Sequence, residues 1–251
     1  MAITANKIDS YKQDGYVLGL PVADEAEAIY YREQFDALEA KVGREKAQVG
    51  LVDGHFEEKF IWDLATHPKV LDGIEAAIGP NILLLATHFF CKYGEEESKD
   101  KFVAWHQDVT FWGLEPPLAI TAWYAVDDAD QENGCMRVIP GTHVNGIQEH
   151  GKADQAGNLL SINQEVPVSA EDEERAVDIV LKAGQISLHD GTLIHGSLPN
   201  TSNRRRCGLT LRYVPPYVKQ TEINSMGSKW KAILVRGEDT EGNFEHIPAP
   251  F

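Results

Sequence analysis

His106 and Asp108 stand two residues apart in the run WHQDVTFW, Trp105 to Trp112. On a β-strand, side chains i and i+2 leave the same face, about 7 Å apart at the backbone. An imidazole nitrogen and a carboxylate oxygen placed that way can ligate one ion. A third ligand from elsewhere would complete a set of two His and one carboxylate. Such a set leaves three positions open on an octahedral metal, the arrangement of non-haem Fe(II) oxygenases. Alone the pair is a weak signal, because most His-x-Asp strands simply show two polar residues to water.

Two histidines compete for the third place, His195 in GTLIHGSLPN and His189 in SLHDG. Ser197 is two residues past His195, shares its face and can donate a hydroxyl hydrogen bond. Arg206 follows His195 by eleven residues, within NRRRCGLTLRY. Facing inward, it offers a planar fork to a carboxylate. On a regular strand Arg206, Gly208, Thr210 and Arg212 share one face. An inward Arg212 is costly without an anion. It therefore suits a carboxylate or phosphate on a substrate, unless a bulge turns it outward or a nearby acid pairs with it. Arg204 and Arg205 read as solvent-facing, and a one-residue slip in register would give either of them the place of Arg206. His143, after Pro-Gly-Thr, reads as a turn residue. His55, His67, His88, His150 and His246 have no spacing argument, and no role is assigned to them.

The elements that must position these residues fall into two blocks. Thr4 reads as the cap of a helix through Lys12, with Gly15 as its stop. YVLGL (16–20) is a short strand. Asp24 and Glu27 form a capping-box pattern ahead of Ile29, Phe35, Leu38 and Val42, which recur at roughly helical spacing. EEKFIWDLATH (57–67) and PKVLDGIEAAIG (68–79) are two more helices, the second with Pro at its start and Gly at its end. From NILLLATHFFCKY (81–93) onward the pattern is of strands. FVAWHQDVTFW, LAITAWYAVDD, GCMRVIPG, VDIVLKAG, QISLHDG, TLIHGSLPN and CGLTLRYVPP follow, separated by Gly, Pro, Asn or Asp. Many short strands in series predict a mainly β double-sheet jelly roll or barrel rather than βαβ units.

The expected organisation is a single domain over 1–251. Residues 1–80 form a helical N-terminal support, 81–215 the jelly-roll core and 216–251 a C-terminal extension. Residues 144–176 interrupt the core with a polar stretch that includes EDEE (171–174). A connection of that length is either a lid over the site or a solvated insert.

Composition excludes several partners. The 251 residues are 43% hydrophobic and 25% charged, enough to build a core. Lys and Arg number 23 against 39 Asp and Glu, a net charge of −16. A surface this acidic repels phosphate backbones and anionic membranes. Cys91, Cys135 and Cys207 fit neither a disulfide framework nor a CxxC zinc site, and read as free thiols in a reducing compartment. With no secretory signal read at the N-terminus and no long apolar run, the expected location is the cytoplasm. Oligomeric state is not legible.

Taken together, WHQD, NGCMRVIPGTH, LHDGTLIHGS and RRRCGLTLRY resemble the phytanoyl-CoA dioxygenase superfamily of Fe(II)- and 2-oxoglutarate-dependent oxygenases. The resemblance is strong over roughly residues 80–215, and the ending LVRGEDTEGNFEHIPAPF is similar to that of bacterial members. It implies a double-stranded β-helix (jelly roll, cupin-like) with flanking N-terminal α-helices. It also implies Fe(II) on His106, Asp108 and His195, and favours His195 over His189, which becomes a His behind the ligands. Arg206 would pair with the distal carboxylate of 2-oxoglutarate and Ser197 would be its hydroxyl partner. Trp123 in TAWYAV would lie beside the co-substrate, and Lys92 in FFCKY falls near a family Lys that helps hold it. Trp112 matches an aromatic on the substrate side. The implied reaction consumes O2, hydroxylates a C–H and releases succinate and CO2. Related halogenases carry Ala or Gly where this chain has Asp108, so hydroxylation is favoured over halogenation. Desaturation or cyclisation on the same site stays open, as does a ligand-binding jelly roll or a cupin-like isomerase without the activity. Trp112, Phe111, Tyr124 and Trp230 suggest an aromatic-lined pocket. No CoA site is read in the N-terminal part. The preferred substrate is a small free metabolite, such as an amino-acid-like, phosphonate or natural-product compound.

Overall fold

Helices dominate the chain up to its first long strand, and local signals account for where they begin and end. In the computed structural model, which describes residues 5–225 and 227–251, they run Ala5–Asp14, Glu25–Val42, Arg44–Val49, Lys59–Ala65 and Pro68–Ile78. Thr4, the expected cap of the first, lies outside the described residues. Asp24 caps the second: its Oδ1 accepts from the Glu27 amide at 3.0 Å, and the Glu27 carboxylate accepts from the Asp24 amide at 2.9 Å. Each bond satisfies a donor that the first turn leaves orphaned. The helix Pro68–Ile78 opens on its proline and stops at Gly79, whose φ of +92° suits a residue without a side chain.

Tyr31, Phe35, Leu38, Ile61, Leu64, Val70 and Ile74 from these helices are buried in one cluster with residues of a large sheet. That sheet has seven strands in the order Tyr16–Pro21, Gln185–Asp190, Ile120–Ala125, Arg206–Val214, Ile82–Lys92, Lys231–Arg236 and Glu245–His246. Its neighbours are antiparallel except for the last pair, which is parallel. Strand alternation sorts its residues. Cys207, Leu209, Leu211 and Tyr213 pack toward the helices, while Arg206, Thr210 and Arg212 line a cavity on the other face. Gly208 belongs to that second face. A Cβ there would fall 1.9 Å from the Trp123 ring of the adjoining strand, so glycine makes the room that the indole occupies.

A second, four-stranded antiparallel sheet faces this cavity, in the order Val103–His106, His195–Ser197, Met136–Val138 and Val177–Asp178. The architecture is thus mainly β, two sheets with helices on the outer side of the larger. Residues 144–176 carry a small hairpin of Gly151–Lys152 with Gln164–Glu165, and a short helix Ala170–Glu174 capped by Ser169. The Val166 amide donates to the Trp105 carbonyl at 2.7 Å, which ties this segment to the strand of His106. The three cysteines are buried and free, and Cys91 sits directly across from Cys207. Among the described residues no helix is long and apolar enough to cross a membrane.

Candidate metal centre

His106 and His195 are register partners on adjacent strands of the smaller sheet, with ring centroids 4.1 Å apart. The Nδ1 of each lies 2.9 Å from a backbone carbonyl two residues earlier, that of Ala104 and of Leu193. A carbonyl only accepts, so each Nδ1 carries the proton and each Nε2 presents its lone pair to the space between the sheets.

Asp108 reaches the same space by a route that strand periodicity does not describe. The strand ends at His106, and Asp108 opens a 3-10 turn, Asp108–Phe111. The expectation of two ligands on one strand face is therefore corrected. The dipeptide bends because Gln107, fully buried between the two, is held from three sides. Its Nε2 donates to the carbonyls of Gly146 and Thr192 at 2.9 and 2.5 Å, and its Oε1 accepts from the Gln148 amide at 2.7 Å. Its backbone amide donates to His150 Nε2 at 3.1 Å. The turn brings Asp108 Oδ1 to 3.8 Å from His106 Nε2 and 4.0 Å from His195 Nε2. Oδ2 is occupied instead, accepting from the Thr121 hydroxyl at 2.8 Å and from His189 Nε2 at 3.4 Å.

Ligand atoms of His106, Asp108 and His195 lie within 4.8 Å of one another. Two donors each about 2.1 Å from one ion can be at most about 4.2 Å apart, so the spacing between Oδ1 and the two nitrogens admits a shared ion. Protonation fits as well. Burial works to raise the Asp108 carboxyl, but the Arg212 charge and the neighbouring imidazoles outweigh it and hold the group well below the usual carboxylate range. Burial, reinforced by His106 and His189, pushes His195 well below the ordinary His value. One ionised carboxylate and one neutral imidazole are the forms a divalent metal takes. His189 stands behind the set, its ring 4.5 Å from that of His195 and its Nε2 on the far oxygen of Asp108.

Beyond the three donors the cavity runs to a basic end. Lys92, fully buried, donates from Nζ to Ser197 Oγ at 2.6 Å and also to the Leu198 carbonyl. Arg206 is buried beside it, donating from Nε to the Gly134 carbonyl at 3.0 Å and from Nη2 to Ser197 Oγ at 3.4 Å. Its guanidinium lies 5.5 Å from the Trp123 ring centroid. Burial, and then the charge of Arg206, pushes the Lys92 ammonium well below its ordinary value. Burial likewise lowers Arg206. Among the described residues neither cation has a carboxylate within ion-pair distance. Two adjacent desolvated cations of this kind call for an anion from outside the chain.

The opposite end opens into a cavity of about 270 Å³, lined by Phe111, Trp112, Trp230, Arg212 and His88 and, from the 144–176 segment, by Leu159, Leu160, Ile162 and Gln164. Trp112 packs edge-on against Trp230, and Arg212 lies 5.3 Å from the Trp112 ring centroid. His88 donates from Nε2 to the Val49 carbonyl at 2.6 Å. Burial, with the nearby Arg212 charge, brings its pKa down to about 4.

Two expectations fail here. Tyr124 is fully buried in the helix-side core, because its neighbour Trp123 takes the cavity face of the same strand. Arg205 is not solvent-facing: its Nε is 2.7 Å from Asp127 and its Nη1 2.6 Å from Asp36. Arg204 is exposed and paired with Asp130 and Glu132. Gln107, Thr121, His88 and His150 join the site although no spacing singled them out. The contacts that bring them to the site span 13 to 85 residues, so no local pattern could have found them.

The chain matches the family model of phytanoyl-CoA dioxygenase over residues 11–208. It belongs to the phytanoyl-CoA dioxygenase family. Among curated members of that family it is 27% identical to the human peroxisomal phytanoyl-CoA dioxygenase over 158 residues, covering 62% of this chain and 46% of that one. It is 35% identical to a Dictyostelium discoideum phytanoyl-CoA dioxygenase domain-containing protein 1 homolog over 112 residues, covering 43% and 39%. The chain thus spans about half the length, or less, of the curated relatives it matches. Among solved structures it is similar to the apo form of the non-heme monooxygenase ThoJ. The TM-score is 0.77 and the identity 28%, over 96% of this chain and 86% of that one.

Proposed function

We propose that the chain is an Fe(II)- and 2-oxoglutarate-dependent oxygenase that hydroxylates a C–H bond of a small molecule. The balance is R–H + 2-oxoglutarate + O2 → R–OH + succinate + CO2. One observation carries this reading: a His–Asp–His donor set shares a cavity with the buried Arg206, beside which the buried Lys92 stands on the same Ser197 hydroxyl, and among the described residues neither cation has an acid of its own. A bare metal site would not need the cations, and a bare anion site would not need the donors. The metal and co-substrate supply the oxidising power and the activation of O2.

The chain's own residues do the rest. His106 Nε2, His195 Nε2 and Asp108 Oδ1 hold the iron, their orientation set by the carbonyls of Ala104 and Leu193 and by Thr121. Arg206, Lys92 and Ser197 hold the distal carboxylate of 2-oxoglutarate, whose charge satisfies both cations. Trp123, seated over Gly208, walls that end. Trp112, Phe111 and Arg212 face the substrate. Leu159, Leu160 and Ile162 close over the open cavity and exclude water, so residues 144–176 act as a lid. Asp108 fills the position a halide would need, which directs the outcome to oxygen insertion.

The two-sheet architecture fits a double-stranded β-helix in a single domain over 1–251. In this reading 1–80 is the helical support, 81–215 the core and 216–251 an extension. Three buried free thiols suit a reducing cytoplasm. Succinate release from 2-oxoglutarate, measured with Fe(II) and ascorbate across a panel of small metabolites, tests the function. Stimulation by one class of compound supports it, and failure of the protein to bind either iron or 2-oxoglutarate contradicts it.

A further inference from the structure

Arg212 is a largely buried guanidinium without hydrogen-bonding partners among the described residues. Its side chain is 12% exposed, and Nε is shielded from solvent with nothing to donate to. The nearest acidic group is Asp108, whose Oδ1 lies 3.8 Å from Nη2, beyond hydrogen-bond reach. That oxygen is also the one facing the two imidazoles, and Oδ2 is taken by Thr121 and His189. Asp108 can therefore balance part of the charge while satisfying none of the donors. The Trp112 face supports the cation but accepts no conventional hydrogen bond. A desolvated guanidinium left this way is unfavourable until acceptors arrive. It lines the open cavity, where apolar walls of Trp112, Phe111 and Leu160 stand beside it.

The geometry points to a small organic acid as the substrate, its carboxylate or phosphonate docked on Arg212 and its apolar body laid along Trp112 and Phe111. This rests on the oxygenase reading for the reaction, but the docking itself does not. Because Arg212 lies within 4 Å of a proposed iron ligand, the carbon attacked is one close to the acidic group. His88 and Asp53 line the same cavity and give a hydroxyl or amino group on the acid an acceptor.

The test uses protein loaded with Zn(II) and 2-oxoglutarate, which cannot turn over. Tryptophan fluorescence, reporting on Trp112 and Trp230, is titrated with acetate, phenylacetate and phenylphosphonate, and with the matched amides. At least one acid should bind about tenfold or more tightly than its amide. R212Q should erase that preference, R212K should keep part of it, and both should bind 2-oxoglutarate as the wild type does. Equal binding of acids and amides by the wild type overturns the proposal. So does an R212Q variant that loses 2-oxoglutarate instead, since Arg212 would then serve the co-substrate. If the wild type takes up neither Zn(II) nor 2-oxoglutarate, the oxygenase reading fails. The acid preference, titrated in the metal-free protein, then decides the docking proposal by itself.

Discussion

Arg206 and Arg212 stand six residues apart on one face of one strand, yet they meet opposite surroundings. Arg206 is bonded to the backbone of Gly134 and to Ser197, and rests on Trp123. Arg212 has a tryptophan face, a carboxylate just out of reach and, among the described residues, no hydrogen bond. On the proposed function, the contrast separates a subsite built for an invariant ligand from one left open for a particular one. A protein that always binds the same co-substrate can prepare its anchor with its own carbonyls. Specificity for a second ligand is sharper when the site's polar groups stay unmatched until that ligand fills them.

The largest expected effect follows from this difference. Arg206→Ala should weaken 2-oxoglutarate binding about a hundredfold, since charge-assisted hydrogen bonds are lost. It should also lower the melting temperature, because the Gly134 carbonyl loses a donor. Arg212→Ala should leave 2-oxoglutarate binding within about threefold, and in the Zn(II)-loaded protein, where the ion balances the Asp108 charge that Arg212 otherwise offsets, it should lower the melting temperature less than Arg206→Ala does. Calorimetric titration and thermal melts of both variants check the pair. Equal losses in the two would erase the distinction between the ends.

A smaller effect is expected at the hinge between them. Gln107 touches neither anion, but its amide is bonded on three sides to the 146–148 stretch and Thr192. It sits between two proposed ligands and holds Asp108 off the strand. Gln107→Leu should weaken Co(II) affinity about tenfold, the scale of changes to groups that orient ligands. Its 2-oxoglutarate affinity in the Zn(II)-saturated protein should change less. An unchanged Co(II) affinity would mean that the turn Asp108–Phe111 holds its shape without the clamp.

Much of the frame was legible because the signals are local. The Asp24–Glu27 box, Pro68, Gly79 and the apolar run at 82–91 mark elements that the structure contains. Alternation along 206–212 placed both arginines on the cavity face. What escaped was set by distant contacts. Strand periodicity could not show that the chain leaves the sheet after His106, because the cause is a glutamine bonded to residues 39 and 85 positions away. Nor could it show which aromatic of the Trp123–Tyr124 pair faces the cavity, since both neighbours are large and either parity gives a buried strand. Arg205 looked exposed in a polar run, and its acids Asp36 and Asp127 come from elsewhere in the fold.

The most direct measurement is an anaerobic Co(II) titration, read by visible absorption, of the wild type, His195→Ala, Asp108→Ala and His189→Ala. The account predicts one tightly bound ion in the wild type, a loss of about a hundredfold or more in the first two variants, and a change of no more than about tenfold in the third. Normal binding by His195→Ala together with its loss in His189→Ala would contradict the assignment of His106, Asp108 and His195 as the metal centre.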